Sequence, residues 1–195
     1  MSGAWQTGWL VLAGTHALLE SLDGSLSLPI DLRQVRSVLL KSVEESGNAL
    51  GVYDKGTVFV LTLPKNTIYF QSVLLKDTKN WHCRLSSAWE ACGNGPELEK
   101  LYLTQDGVPI IVDKCIKFVT THGVMAEGVY RKSASNLKTA DVLQRLRTDP
   151  WGTILTNDDF TEHDVANALK RFFRTLPTPL LTEEFAHLWI AYAGT

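Results

Sequence analysis

Before residue 93 the apolar positions of the chain fall in short runs rich in Val, Leu, Ile, Tyr and Phe, broken by turn residues at close spacing. The runs at 8–13, 25–30, 35–40, 49–53, 57–63 and 67–73 read as strands, with turns at Asp54-Lys-Gly56 and Pro64-Lys-Asn66. Many short strands on tight turns predict a small antiparallel barrel or sandwich. The period then changes. Trp81, Leu85, Ala88, Trp89 and Cys92 recur at three- and four-residue spacing over 77–92, and Gly93 stands where a helix would end. One amphipathic helix therefore closes this half, and its Trp81 and Trp89 are expected to bury against the sheet.

Past Gly93-Asn-Gly-Pro96 the pattern is helical throughout. Pro109 suits the first turn of a helix with Ile111, Val112, Cys115, Phe118 and Val119 on its apolar face, ending at Gly123. A second helix, over 137–147, turns Leu137, Ala140, Leu143 and Leu146 inward and stops at Asp149-Pro150. Thr161 opens a third, with Asp164 making a partial capping box. Its apolar face is Val165, Ala168, Leu169, Phe172, Phe173 and Leu176, before Pro177. Thr182 caps a fourth, which carries Glu183 and Glu184 in its first turn and buries Phe185, Leu188, Trp189 and Tyr192. The expected organisation is α+β, a β-rich part over 1–95 followed by a helical part over 106–195, with no internal repeat or low-complexity tract.

Composition narrows the class. Of 195 residues, 45% are apolar and 21% charged, the balance of a folded globular protein of one domain or two small ones. No apolar run approaches the roughly 18 residues of a membrane span; the longest resemble Trp9-Leu-Val-Leu-Ala13. No Lys or Arg precedes Arg33, so a secretory signal with a positive start is not expected. With 19 basic against 21 acidic residues, a net charge of −2, nucleic acid is a poor partner. Cys83, Cys92 and Cys115 lack CxxC spacing, which argues against a disulfide framework and a structural zinc site. The expected setting is cytoplasmic.

The usual motifs of chemistry are missing. There is no phosphate-binding G-x-x-x-x-G-K-[ST] loop, Gly93-Asn-Gly95 lacks the third glycine of a dinucleotide fingerprint, and neither H-E-x-x-H nor G-x-S-x-G occurs. His82 and Cys83 are neighbours, but adjacent residues on a helix point about 100° apart, so Cys83 reads as a packing residue. No substrate pocket, cofactor or metal site of the chain's own is expected.

Two segments of the helical part stand out. In Glu127-Gly-Val-Tyr-Arg-Lys132, a link between two helices, Val129 and Tyr130 can anchor inward while Arg131 projects outward. In Leu169-Lys-Arg-Phe-Phe-Arg-Thr-Leu-Pro-Thr-Pro-Leu-Leu181, Lys170 and Arg174 stand four apart on one helix face, with Arg171 beside them. Such like charges repel by about 0.2–0.5 kcal/mol. Alone, the first is an ordinary surface arginine and the second a wetted face, or else a face that meets an anion or an acidic partner. In combination they resemble the Rho-GAP domain, the GTPase-activating domain for Rho-type small GTPases, over about 106–181. The resemblance implies that Arg131 is the family's arginine finger. It also implies that Lys170 and Arg174 are the basic pair on the helix that supports the finger and contacts the GTPase, with Pro177 and Pro179 shaping the next turn. Ala134 stands where the family often has Gly. The family's domain continues through further helices, one with an Asn in an Asn-Leu-Ala context, so the Rho-GAP part is expected to be truncated at its C-terminal end.

The strand-rich part with its closing helix looks like a pleckstrin-homology (PH) domain, a seven-strand barrel plugged by one C-terminal helix. A PH module directly before a Rho-GAP domain, with Val-Pro-Ile-Ile-Val-Asp-Lys-Cys-Ile and Gly-Val-Tyr-Arg-Lys, is similar to the ARAP family of Arf-GAP proteins with Rho-GAP, ankyrin-repeat and PH domains. PH domains read phosphoinositides with Lys and Arg in the first strands. Residues 1–32 hold none, and three acids instead, Glu20, Asp23 and Asp31. This unit is therefore expected to pack or to bind protein, with at most weak phosphoinositide or membrane contact. The implied function is stimulation of hydrolysis by a GTP-bound Rho-family GTPase, a regulator without cofactor, cytoplasmic or peripheral at the membrane or cytoskeleton. The alternative is a non-catalytic scaffold that binds a partner without activating it; a lipid-directed adaptor is opposed by the missing basic residues.

Overall fold

A two-residue loop, Gly14-Thr15, folds β1 (Gly8–Ala13) back onto β2 (His16–Ser21), so that Ala13 faces His16. Gly14 has φ +58°, the left-handed geometry that tight hairpin loops demand and that glycine adopts at least cost. β3 (Ser27–Asp31) pairs antiparallel with β2 and completes one sheet. A 3-10 turn, Leu32–Gln34, opens where the Asp31 carboxylate accepts the Arg33 N–H, and it leads into a second antiparallel sheet. That sheet has the order β4 (Ser37–Ser42), β5 (Thr57–Thr62), β6 (Thr67–Phe70). The central strand, β5, is buried from Val58 to Leu61, and α1 (Leu75–Ala91) packs on β4, β5 and the 3-10 turn. The computed structural model describes residues 5–42, 56–93 and 95–193, and the chain divides into two compact units, Met1–Asn94 and Gly95–Thr195.

Several sequence expectations shift here. β2 lies where no strand is predicted, because its hairpin loop is only two residues long and adjacent Leu18 and Leu19 break the alternation. β3 and β4 begin two residues later than expected, and β6 stops at Phe70. The strand expected over 49–53 and the turn residues Asp54 and Lys55 lie outside the described residues. Among the described residues the strands form two separate three-stranded sheets, not a closed seven-strand barrel, since the 3-10 turn interrupts any ladder from β3 to β4. On α1 the buried line is Thr78, Leu85 and Cys92, at seven-residue steps. Trp81 and Trp89 flank it and are only half-buried, with the indole N–H of Trp89 donating to Val35 O at 2.8 Å. Cys83, expected to pack, faces solvent on the opposite side of the helix.

The second unit is a helical bundle. α2 (Ile110–His122), α3 (Asn136–Thr148) and α4 (Glu162–Arg174) pack on one another around Cys115, Phe118, Val142, Leu146, Phe160, Val165, Ala168 and Phe172. The apolar face expected for α2 is the one buried, with Pro109 just ahead of the helix instead of inside it. α3 is rotated from expectation. Thr139, Val142, Leu143 and Leu146 face inward, while Ala140 is exposed and Leu137 is 84% exposed, because the face that packs on α2 and α4 is the one through 139, 142, 143 and 146. The last helix, α5 (Ala186–Ala193), follows a 3-10 turn, Glu183–Phe185. Thr182 makes no side-chain cap there and has φ +55°. Phe185, Leu188, Trp189 and Tyr192, expected to be buried, are exposed, for α5 packs chiefly on the 3-10 turn before it. No helix among the described residues is long and apolar enough to cross a membrane.

The capping box of α4 is complete and reaches further than the helix it starts. Thr161 Oγ1 accepts the Asp164 N–H, and Asp164 Oδ2 accepts both the N–H and the hydroxyl of Thr161. The other oxygen, Oδ1, accepts the Ser135 N–H at 3.2 Å, tying the start of α3 to the start of α4 through a buried carboxylate. Asp164→Ala leaves these donors without their acceptor and is expected to cost about 1–3 kcal/mol in urea unfolding. Burial pushes the thiols of Cys92 and Cys115 up, that of Cys115 to about 12. An aromatic disulfide reagent at pH 8 is expected to modify Cys83 promptly and the other two only after denaturation; fast reaction of all three in the native protein would contradict this burial.

Candidate functional site

The link from α2 to α3 contains a corner with little regular structure of its own. Gly128, at φ +65°, turns the chain so that the N–H groups of Arg131 and Lys132 both donate to its carbonyl at 2.8 Å. A side chain at this position would be strained, and its Cβ would lie 3.3 Å from Nε and Nη2 of Arg131. Val129 packs partly against the bundle core. Tyr130, expected to anchor inward beside it, is 48% exposed, because the turn spends its backbone on the bundle and leaves the ring outside.

That backbone is held by α4. Positions 163, 167 and 170 are four and three apart, hence on one face of the helix. His163 Nδ1 approaches Val129 O at 3.4 Å, Lys170 Nζ donates to Tyr130 O at 2.7 Å, and Asn167 Nδ2 donates to Lys132 O at 3.1 Å. Three carbonyls of one corner thus rest on three side chains of one helix. The sequence reading brings Arg131 and Lys170 into a common site, and here they are joined through the Tyr130 carbonyl. Arg174 is exposed one turn beyond Lys170. Arg171 turns elsewhere, lining a groove with Leu143, Arg147, Thr148 and Thr175. His163 and Asn167 were not singled out in the sequence, and their heptad-like spacing with Lys170 is the signal that could have found them; Gly128 lies within the singled-out 127–132 segment, without a role of its own there.

Arg131 itself projects outward as expected. Its side chain is 76% exposed and pairs at 3.4 Å with Glu127, itself 80% exposed, which Lys132 also approaches at 3.6 Å. Exposed pairs of this kind contribute about 0–1 kcal/mol, so the guanidinium is parked and easily released. The arrangement is a protruding, permanently charged fork on a stiff mount. It can neutralise an anion that another molecule presents.

Comparison with known proteins fits this geometry. Residues 109–195 match the RhoGAP domain. The human protein named "Arf-GAP with Rho-GAP domain, ANK repeat and PH domain-containing protein 3" is 33% identical over 188 residues, which are 96% of this chain and 12% of that protein. Its human namesake numbered 2 is 26% identical over 193 residues, 98% of this chain and 11% of the relative. The mouse protein "Unconventional myosin-IXa" is 40% identical over 100 residues, 51% of this chain and 4% of its own length. The chain thus spans about an eighth or less of the relatives it matches.

Gly128→Ala is expected to lower stability by about 1–2 kcal/mol from the left-handed backbone alone and to displace the Arg131 side chain. Urea unfolding measures the first effect, and a shift in the Arg131 side-chain resonances in solution NMR the second.

Proposed function

We propose, for a chain that carries a RhoGAP domain over residues 109–195 and is homologous to the ARAP proteins, that its helical unit accelerates GTP hydrolysis on a Rho-type small GTPase by offering Arg131 to the partner's nucleotide. The observation that carries this reading is the exposed guanidinium mounted on a corner whose flanking carbonyl is gripped by Lys170 at 2.7 Å.

The chemistry follows from where charge develops. Phosphoryl transfer to water spreads negative charge over the γ-phosphoryl oxygens and the leaving oxygen. A planar guanidinium presents donors in a rigid fork and stays protonated, so it can bridge those oxygens where a lysine ammonium acts as a single point. Docking excludes water, and in that drier setting the same charge acts more strongly. On this reading Arg131 leaves Glu127 on docking, at little cost, because that pair is largely solvated in the free protein. Lys170 has two further N–H donors besides the one on Tyr130 O, and with Arg174 it forms a basic strip that meets an acidic surface of the GTP-bound partner. The protein is then a regulator of another protein's hydrolysis, working in the cytoplasm or at its membrane or cytoskeletal margins.

For the β-rich unit we propose a PH-like module that packs or binds protein. Strands closed by one helix support the resemblance. A phosphoinositide role is disfavoured at its most N-terminal cation, since Arg33 is engaged by Asp31 at 2.8 Å. Hydrogen bonds from Ser21 and Ser25 hold the Asp23 carboxyl down to about 2, which keeps a negative charge at the β2–β3 turn.

Arg131→Lys is expected to cut stimulation of single-turnover GTP hydrolysis about 10³-fold or more while leaving affinity for the GTPase nearly unchanged. Equal stimulation by the variant would end the reading. Binding without stimulation by the unaltered chain, across a panel of Rho-type GTPases, would favour the scaffold instead.

A further inference from the structure

We infer that Asn167 is a positioning residue for Arg131, acting through the backbone on the far side of the finger from Lys170. Its rate consequence rests on the reading of Arg131 given above; its effect on the corner does not.

The argument is one of donors and acceptors. Asn167 Nδ2 lies 3.1 Å from Lys132 O and 2.9 Å from His163 O. Both partners are carbonyl oxygens, so the amide nitrogen must face them, and its two N–H groups are both used. The side chain is thereby anchored to its own helix by one bond and to the corner by the other. Lys170 holds Tyr130 O, one residue before Arg131, and Asn167 holds Lys132 O, one residue after it. The finger's Cα is therefore clamped on both sides by a single helix. Lys170 is exposed and would have to serve the partner as well as the corner, whereas Asn167 is half-buried, with both its N–H groups spent on its own helix and the corner.

Asn and Asp have nearly the same shape, which makes the chemistry separable from the packing. A carboxylate at 167 has no donor, and it would set negative oxygens against two carbonyls. Asn167→Ala removes the bond without the repulsion.

The test uses the whole chain with both variants and with Arg131→Ala. In N167D, amide hydrogen exchange at Arg131 and Lys132 is expected to quicken about two- to tenfold, with Asn167→Ala smaller and the core amides of α2 and α4 unchanged. Exchange at the corner equal to that of the unaltered protein would overturn the inference. In GTP hydrolysis at saturating activator, N167D is expected to lose about 10- to 100-fold, with the half-saturating concentration within about twofold. Combined with Arg131→Ala, it should add no further loss. A loss that adds to that of Arg131→Ala, or that comes as weaker binding, would mark a merely structural residue and refute the proposal. If Arg131→Ala itself keeps full stimulation, the finger reading falls, and the exchange experiment still decides whether Asn167 holds the corner.

Discussion

The corner around Arg131 depends on hydrogen bonds that it cannot make for itself. Between the end of α2 and the cap of α3 the chain makes a turn at Gly123–Ala126 and a second at Gly128, and the carbonyls of Val129, Tyr130 and Lys132 find their donors on α4. Backbone carbonyls near a packed core need partners. Supplying them from a single helix converts a loop into a mount. The rigidity of the exposed charge is thus borrowed from α4, which is itself seated by Val165, Ala168, Leu169 and Phe172 in the bundle core.

α4 has two jobs that its periodicity keeps apart. Its apolar residues face α2 and α3, while His163, Asn167 and Lys170 form a polar line toward the corner. The same helix begins with a capping box whose carboxylate also receives the Ser135 N–H, so the start of α3 is fixed by the element that fixes the corner. A protruding arginine gains from such a mount, because a reacting charge must be met in a narrow range of positions and each ångström of looseness is costly. Its side chain is left loose by contrast, paired only with a solvated glutamate.

Lys170 shows how one residue can support a corner and still keep donors facing solvent. Sequence reasoning assigns it to a basic strip with Arg174, and the structure adds a bond to the corner at 2.7 Å. Arg171, next in the chain, belongs to another surface, since adjacent helical residues diverge by about 100°. A cluster of three cations in sequence is therefore a pair and a single in space.

The sequence alone determined the change from strand-rich to helical character near residue 93, the apolar faces of α2 and α4, the capping box at Thr161, and the outward Arg131. These are local: they follow from periodicity, cap chemistry and the permanent charge of a guanidinium. Only tertiary structure decided that Leu137 stays outside while Thr139 goes in, that Cys83 is exposed, and that Phe185, Leu188 and Trp189 remain uncovered. It also decided that Tyr130 contributes its carbonyl instead of its ring, and that His163 and Asn167 belong to the site. A hydrophobic pattern says which face wants burial, but cover comes from a neighbour distant in sequence. A backbone carbonyl carries no residue-type signature, so its partner is settled only when the helix that holds the donor is packed in place.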